Sequence, residues 1–260
     1  MRFFIILFCF TPQIYFCQEI KVDHLREKEL NTDQFVGVDE YNNVYSITNR
    51  VFYKTQADKT YQFSALELGK IASVDLLNPL RITVFYDQSN TAVILDNTLN
   101  EITRVNFNQL ENFRNVSFAR TASDRRLWIF NVDLLQLELF DYQSNRVLAS
   151  SPPFSRSAEN MTSNFNTCYV YTGKDLKIFN NYGSLLSTLQ LKNLSLLDQN
   201  EGTIVAVIDG NLNVLDKNDQ KFKGLPLNEK QVKQLYYANE FLYIYDGKIL
   251  KTYTLNLPKN

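Results

Sequence analysis

The residue types that most often perform nucleophilic or acid–base chemistry are scarce in this sequence. It contains one histidine, His24, and three cysteines. A serine–histidine triad would have to use His24, which lies beside Asp23 in a short alternating stretch and is expected to be an ordinary strand residue. Cys168 lies in the apolar run 167–171, where a free cysteine is expected to act as a small hydrophobic core residue. No nucleophile–base pair is therefore predicted.

Sequence motifs for metals, phosphates and cofactors are also missing. The sequence has no HExxH, no paired CxxC and no Asp-x-Asp-x-Asp-Gly calcium loop. It has neither of the glycine-rich patterns that cradle phosphates, so no cofactor is expected. A catalytic pair of carboxylates is neither predicted nor excluded, because the separation of two acidic residues along the chain does not show whether they share a cleft. The acidic candidates are Glu101, Glu111, Glu138, Asp124 and Asp133.

Charge and the N-terminal segment restrict the class of partner. The net charge is −1 and no cluster of Lys and Arg is present, which disfavours nucleic-acid binding. Residues 1–17 are predicted to be a signal peptide, because Arg2 precedes an apolar stretch at 3–10 and Pro12 interrupts any longer helix. The mature chain, residues 18–260, is expected to be exported and to contain no transmembrane span.

Cys17 leaves a lipid anchor open as an alternative to cleavage between Cys17 and Gln18. A lipobox requires a small residue immediately before the cysteine, and the sequence has Phe16 there. Cleavage before Gln18 would remove Cys9 and Cys17 and leave Cys168 alone, so no internal disulfide is expected.

Internal repetition predicts the fold. Six units begin near residues 35, 71, 116, 161, 194 and 232, and each has the period of about 35–45 residues that is typical of propeller blades. Each unit contains apolar or alternating runs separated by turn residues. The clearest turns are Thr172-Gly173, Asp209-Gly210 and Asp246-Gly247. The prediction is an all-β, six-bladed propeller with four antiparallel strands in each blade.

The ends of the chain are predicted to close the ring. The sixth unit contains only three strand-like runs, and the alternating residues 20–25 precede the first unit. Pairing of residues 20–25 with the last blade would supply its outer strand and cover an open edge. Residues 26–34 and 106–114 are each expected to form a turn of helix in a connection. A two-sheet β-sandwich is the competing fold, but it does not explain six similar units.

Two segments resemble known propeller signatures. Residues 38–47 (VDEYNNVYSI) resemble the D-x-x-G-N-hydrophobic-Tyr blade signature of six-bladed NHL-like propellers. Residues 123–129 (SDRRLWI) are similar to the D-x-x-G-x-L-W form of bacterial sensor propellers. Asn42 and Arg125 stand where these signatures carry glycine. The resemblance implies the same six-bladed fold, and the composition also resembles that of exported proteins of Bacteroidota.

Two connections between units combine a phenylalanine with an arginine, a mixture that is enriched in interface hot spots. They are residues 110–115, with Phe113 and Arg114, and residues 152–157, with Phe154 and Arg156. We expect these four side chains to contact a partner. In the alternative interpretation, the two phenylalanine rings pack as core and the arginines are solvated.

These observations favour a non-enzymatic binding or scaffold propeller of the bacterial cell envelope, periplasmic or associated with the outer membrane. It would recognise another envelope protein through one face of the ring. The alternative is a propeller enzyme that hydrolyses or lyses a carbohydrate or a lactone with carboxylates in the central funnel. A third hypothesis is a sensor ectodomain that is tethered to the membrane by a partner chain.

Overall fold

The computed structural model describes residues 20–216 and 220–257. The predicted signal peptide, with Cys17 and the cleavage site, lies outside the described residues. Among the described residues, no helix combines the length and the apolarity that crossing a membrane requires.

The described chain forms six four-stranded antiparallel sheets arranged as the blades of a propeller. In each blade the first strand is the innermost and the fourth is the outermost. Blade one contains β2 (Gln34–Val38), β3 (Val44–Thr48), β4 (Val51–Thr55) and β5 (Thr60–Phe63). Blade two contains β6 (Ser73–Asp75), β7 (Ile82–Tyr86), β8 (Thr91–Leu95) and β9 (Glu101–Asn106). Blade three contains β10 (Val116–Thr121), β11 (Arg126–Asn131), β12 (Gln136–Asp141) and β13 (Arg146–Ser150).

The remaining blades follow the same order. Blade four contains β14 (Asn160–Ser163), β15 (Thr167–Tyr171), β16 (Asp175–Asn180) and β17 (Leu185–Gln190). Blade five contains β18 (Leu194–Asn200), β19 (Thr203–Ile208), β20 (Asn211–Asp216) and β21 (Lys221–Gly224). Blade six contains β22 (Gln234–Ala238), β23 (Phe241–Tyr245), β24 (Ile249–Asn256) and, as its outer strand, β1 (Lys21–Glu29). The predicted six-bladed propeller is therefore confirmed.

The hydrophobic core lies between the blades rather than inside one sheet. The middle strands β7 and β8 are buried along their whole length, because both faces pack against a neighbouring blade. The outer strand β13 instead alternates between exposed and half-buried residues. Each of the core clusters found in the described residues joins two adjacent blades. Packing between blades is consequently what holds the ring together.

Strand β1 closes the ring, as the sequence predicts, and it pairs antiparallel with β24 from Lys21↔Asn256 to Glu29↔Ile249. The strand is longer than the predicted 20–25, and the turn of helix expected at 26–34 is wrong. Strand β24 begins at Ile249, which pairs with Glu29. Residues 26–29 therefore find hydrogen-bonding partners as a strand. A register shift between His24 and Arg26 leaves Leu25 55% exposed. The charged residues after the shift protect this outer edge from pairing with other chains.

The second predicted turn of helix is present in shorter form. A 3-10 helix spans Phe107–Gln109, and the Asn106 side chain caps it by accepting a hydrogen bond from the Asn108 N–H. Another 3-10 helix, Leu66–Leu68, lies between blades one and two.

Left-handed backbone positions explain two departures from the propeller signatures. Asn42 has φ 61°, so asparagine fills the position where the first signature carries glycine. In the second segment, the left-handed residue is Asp124, with φ 58°, one position before Arg125. Short polar side chains tolerate this conformation better than bulky ones. Both hairpins therefore form without the signature glycine.

Candidate binding site in the central funnel

A cavity of about 680 Å³ lies on the axis of the ring, and the six inner strands β2, β6, β10, β14, β18 and β22 form its wall. Hairpin residues that follow inner strands, including Tyr41, Leu80 and Asn239, complete the wall. We call the cavity the funnel and this end of the ring the funnel face. Residues 110–115 and 152–157 connect successive blades and lie at the opposite end, the connection face, because antiparallel strands reverse direction at every turn.

Side chains near the ends of the inner strands join neighbouring blades around the funnel. Asp75 Oδ2 accepts a hydrogen bond from the Thr121 N–H at 2.8 Å, which links blades two and three. Ser163 Oγ donates to the Thr121 carbonyl at 2.8 Å, which links blades three and four. Gln199 Nε2 donates to the Ser163 carbonyl at 2.5 Å and links blades four and five. Buried polar groups at the axis are thus satisfied by the adjacent blade.

Asp39 organises the wall of the funnel at blade one. Its Oδ1 accepts hydrogen bonds from the N–H groups of Tyr41 at 3.0 Å and Asn43 at 2.9 Å. Its Oδ2 accepts a hydrogen bond from the Tyr45 hydroxyl at 3.1 Å and lies 3.6 Å from Lys54 Nζ. Burial, reinforced by the negative charge of Asp39, raises the pKa of Tyr45 above its usual value. This group has a stabilising role, because every member already has a partner.

Arg120 has unused hydrogen-bonding capacity in the funnel wall. Its Nε donates to the Met161 carbonyl at 2.8 Å, which fixes the side chain between blades three and four. Within residues 20–216 and 220–257, neither Nη1 nor Nη2 of Arg120 has a hydrogen-bond or ion-pair partner. A guanidinium group carries five N–H donors, so four remain available to a ligand in the funnel.

Asp198 and Tyr236 line the same cavity. Asp198 Oδ2 accepts a hydrogen bond from the Tyr237 N–H at 2.7 Å, which links blades five and six. Burial raises the pKa of Asp198 to about 7, although the hydrogen bond from Tyr237 and the charge of Arg120 oppose this rise. Burial and the charge of Asp198 also raise the pKa of Tyr236, whose hydroxyl has no hydrogen-bond partner in the described part of the chain. The funnel therefore combines two groups of donors with a carboxyl group that titrates near neutral pH.

Two large apolar side chains border the funnel mouth. Tyr41 is 77% exposed and Leu80 is 64% exposed, and both line the cavity. They lie in the first hairpins of blades one and two, and Pro79 beside Leu80 is also exposed. We call Tyr41, Pro79 and Leu80 the apolar rim. Apolar side chains combined with a few polar groups are common in binding sites.

The four residues expected to contact a partner differ in their surroundings. Phe113 is 52% exposed and Arg156 is also exposed, so both are accessible on the connection face. Phe154 is 6% exposed and packs between Phe130 and Phe179, with ring centroids 5.3 Å away in each case. Two of the four residues are therefore available for contact, and contact itself stays a prediction.

Arg114, the fourth of these residues, makes contacts that stabilise the fold. Its Nε lies 2.9 Å from Oε2 of the buried Glu138, and its Nη1 donates to the Asn112 carbonyl at 2.9 Å. Glu138 also accepts a hydrogen bond from Asn131. Removing Arg114 would leave a buried carboxylate without its cation, so a structural role is sufficient to explain this residue.

The other residues considered for chemistry lie away from the funnel. His24 is on the outer strand of blade six and packs edge-on against Tyr253, with ring centroids 5.3 Å apart. Cys168 is buried in the core, and burial raises the pKa of its thiol well above the usual value. None of the acidic candidates lines the cavity; these are Glu101, Glu111, Glu138, Asp124 and Asp133. Among the described residues, no three His, Cys, Asp or Glu side chains form a group that could hold a metal ion.

Sequence reasoning missed the residues that line the funnel. Asp39, Asp75 and Asp198 each lie at or just after the end of the first apolar run in their unit. That recurrence in three of the six units was a usable signal, because polar residues at the same position of a repeat converge when the repeats form a ring. Arg120 and Tyr236 occupy similar positions but carry no local pattern.

No protein-family model matches the sequence, and no curated protein sequence matches it. Solved structures match its fold. BamB from Moraxella catarrhalis is similar with a TM-score of 0.51 and 16% identity, over 85% of this chain and 71% of that chain. Virginiamycin B lyase from Staphylococcus aureus is similar with a TM-score of 0.64 and 11% identity, over 92% of this chain and 100% of that chain.

A chain of the mitotic checkpoint complex is also similar, with a TM-score of 0.59 and 12% identity, over 98% of each chain. These proteins carry different functions on one architecture. At such low identity the similarity shows the fold alone, and this chain is a propeller of that general type.

Proposed function

We propose that this chain is a binding propeller that recognises a partner protein of the bacterial cell envelope through the funnel face. The observation that carries the proposal is the apolar rim: Tyr41 and Leu80 are largely exposed beside the funnel. Large apolar side chains grouped on a surface mark sites of protein contact more often than scattered ones do. Tyrosine is also among the residues enriched in interface hot spots.

The connection face is the competing surface for the same function. It carries the exposed Phe113 and Arg156, while Phe154 and Arg114 are used in packing and in a buried ion pair. Fewer of its predicted contact residues are therefore free to meet a partner. The funnel face joins an exposed apolar rim to a cavity with available donors, which offers both area and directional contacts.

The envelope location rests on the predicted signal peptide at residues 1–17. Export would place the mature chain, residues 18–260, in the periplasm or at the outer membrane. The mass of the protein purified from its own host tests this part of the proposal. A mature chain that starts at Gln18 would support it, and a chain that retains Met1 would contradict it.

An enzyme that acts in the funnel is the second candidate, and Asp198 is the observation that favours it. A carboxyl group with a pKa of about 7 is suited to transfer a proton near neutral pH. One similar solved structure is a catalytically inactive histidine-to-alanine variant of virginiamycin B lyase with quinupristin. The only histidine here, His24, lies on the outer strand of blade six, so a histidine-dependent reaction in the funnel has no equivalent residue.

The proposed function is tested by affinity capture with one variant of each face. Tyr41→Ala with Leu80→Ala alters the funnel face, and Phe113→Ala with Arg156→Ala alters the connection face. All four side chains are exposed, so both proteins should fold, which circular dichroism checks. We expect the first variant to lose at least one partner that the parent captures and the second to keep it. The opposite result would move recognition to the connection face, and capture by neither parent nor variants would contradict the binding function.

A further inference from the structure

We propose that the funnel binds the free C-terminal carboxylate of an extended, apolar peptide, with Arg120 as the residue that holds the carboxylate. This inference rests on the proposed function, because it assigns a chain end to the partner that meets the funnel face. It depends on the unused donors of Arg120, on the size of the cavity and on the apolar part of its wall.

The guanidinium group of Arg120 is held in place and yet has donors to spare. The hydrogen bond from its Nε to the Met161 carbonyl, at 2.8 Å, orients the group. Nη1 and Nη2 have no partner among the residues that the structure describes, and Arg120 lines the funnel. Two parallel N–H···O bonds from such a group match the geometry of a carboxylate.

A second residue with an unused donor lines the same cavity. Tyr236 is part of the funnel wall, and its hydroxyl donates to no group in the described ranges. Together with burial, the charge of Asp198 raises the pKa of Tyr236, and the charge of Arg120 opposes the rise that burial causes in the pKa of Asp198. The three side chains therefore lie close to one another. When Asp198 is protonated, it adds no negative charge that would repel an incoming carboxylate.

Part of the funnel wall is apolar, although Asp39, Glu40 and Asp75 also line the cavity. Val36, Val74, Leu76, Leu197 and Leu235 line the funnel, and each comes from an inner strand or the residue that follows it. A cavity of about 680 Å³ holds a few residues of extended chain rather than a folded surface. The apolar rim at the mouth then meets the part of the partner that precedes the chain end. An apolar peptide that ends in a free carboxylate would place its carboxylate at Arg120 and its side chains against the apolar wall and the apolar rim.

The probe that tests the proposal is a pool of hexapeptides randomised at the last three positions, prepared once as free acids and once as C-terminal amides. Peptides retained by the immobilised protein are identified by mass spectrometry, and the affinities of the best sequences are then measured as acid and amide. We expect acids with apolar last residues to be retained, and their amides to bind about tenfold or more weakly, because the amide lacks the charge that strengthens the contact with Arg120.

Two matched variants locate the contact. Arg120→Gln removes the guanidinium group from the funnel and should abolish the difference between acid and amide. Arg125→Gln changes an exposed arginine of the same blade that does not line the funnel, and it should leave the difference unchanged. If Arg120→Gln fails to fold, the comparison of acid and amide on the parent protein still decides the question.

Several outcomes would overturn the inference. Acids and amides that bind equally, or no retained peptide, would remove the carboxylate site. Octanoate that binds and is displaced by no peptide would assign the site to a small acid instead. Because the rim variants report on partner capture separately, the chain-end inference can fail while the proposed function stands.

Discussion

At the level of single residues, the carboxyl group of Asp198 shows how the ring changes the acidity of a side chain. Burial at the axis raises its pKa from 3.8 to about 7, and the groups that face it are Arg120, Asp75 and Tyr236. A carboxyl group whose pKa is raised on folding holds its proton more tightly in the folded state. Its contribution to stability is therefore largest at low pH and is lost as the pH rises from about 4 to 7.

The first prediction follows from this loss of stability with rising pH. Asp198→Asn keeps an oxygen that accepts the Tyr237 N–H but carries no charge at any pH. We expect the variant to gain stability relative to the parent as the pH rises from 5 to 8, by at most ~1.4 kcal/mol for each pH unit below the folded pKa. Chemical denaturation at a series of pH values measures the difference. Asp58→Asn, at an exposed position, is the control, and its difference in unfolding free energy from the parent should not change with pH. If the difference for Asp198→Asn is equally independent of pH, the assigned pKa is contradicted.

Two phenylalanines in similar connections lead to the second prediction. Phe154→Ala removes a ring that packs between Phe130 and Phe179, so it should cost about 3–5 kcal/mol of unfolding free energy. Phe113→Ala removes a ring that is 52% exposed and should change stability by roughly 0.5 kcal/mol or less. Urea denaturation of both variants checks the contrast. Equal losses would mean that Phe113 is also part of the core.

At the level of elements, side chains from blades two and six pack closely against the inner strand of blade one at Gly37. Gly37 of β2 has no side chain, and a Cβ there would lie 2.8 Å from Leu76 Cδ1 and 2.8 Å from Tyr236 Cε2. The side chains of Leu76 and Tyr236 can pack against β2 because Gly37 has no side chain. Leu76 and Tyr236 also line the funnel, so the close approach shapes the candidate site.

The third prediction uses this contact. Gly37→Ala should destabilise the protein by about 1–3 kcal/mol, because the added methyl group pushes against a rigid tyrosine ring. Gly224→Ala is the matched control, since its Cβ would meet nothing closer than Asn213 Oδ1 at 4.0 Å. Thermal unfolding of the two variants provides the comparison. A Gly37→Ala protein as stable as the control would show that Tyr236 moves without cost.

At the level of the whole molecule, the ring depends on one strand from the start of the chain. β1 completes blade six by pairing with β24, and Ile20 and Val22 pack against the core between blades five and six. A propeller without this strand would expose the edge of β24 and part of that core. Closure therefore couples the stability of blade six to a segment that is distant in sequence.

The fourth prediction is that a chain starting at Leu30 unfolds at a lower temperature than one starting at Gln18. Lost burial of Ile20 and Val22 accounts for at most about 1.5–3 kcal/mol each, and lost strand pairing adds to this. Val22→Ala should reproduce part of the loss, whereas Leu25→Ala should not, because Leu25 is 55% exposed. Differential scanning calorimetry measures all four chains. Identical midpoints for the two chain lengths would refute closure by β1.

The sequence by itself determined the number of blades, their starting points and the closing strand. Turns such as Asp209-Gly210, with φ values of 50° and 76°, depend on a few neighbouring residues. The alternation of apolar side chains is equally local, so both patterns can be recognised in the sequence. Only the tertiary structure decided which side chains meet. Arg120, Asp198 and Tyr236 belong to three different blades, and ring closure alone brings them to one cavity. The same holds for Phe113 and Phe154, because burial depends on the neighbouring blade and not on the local sequence.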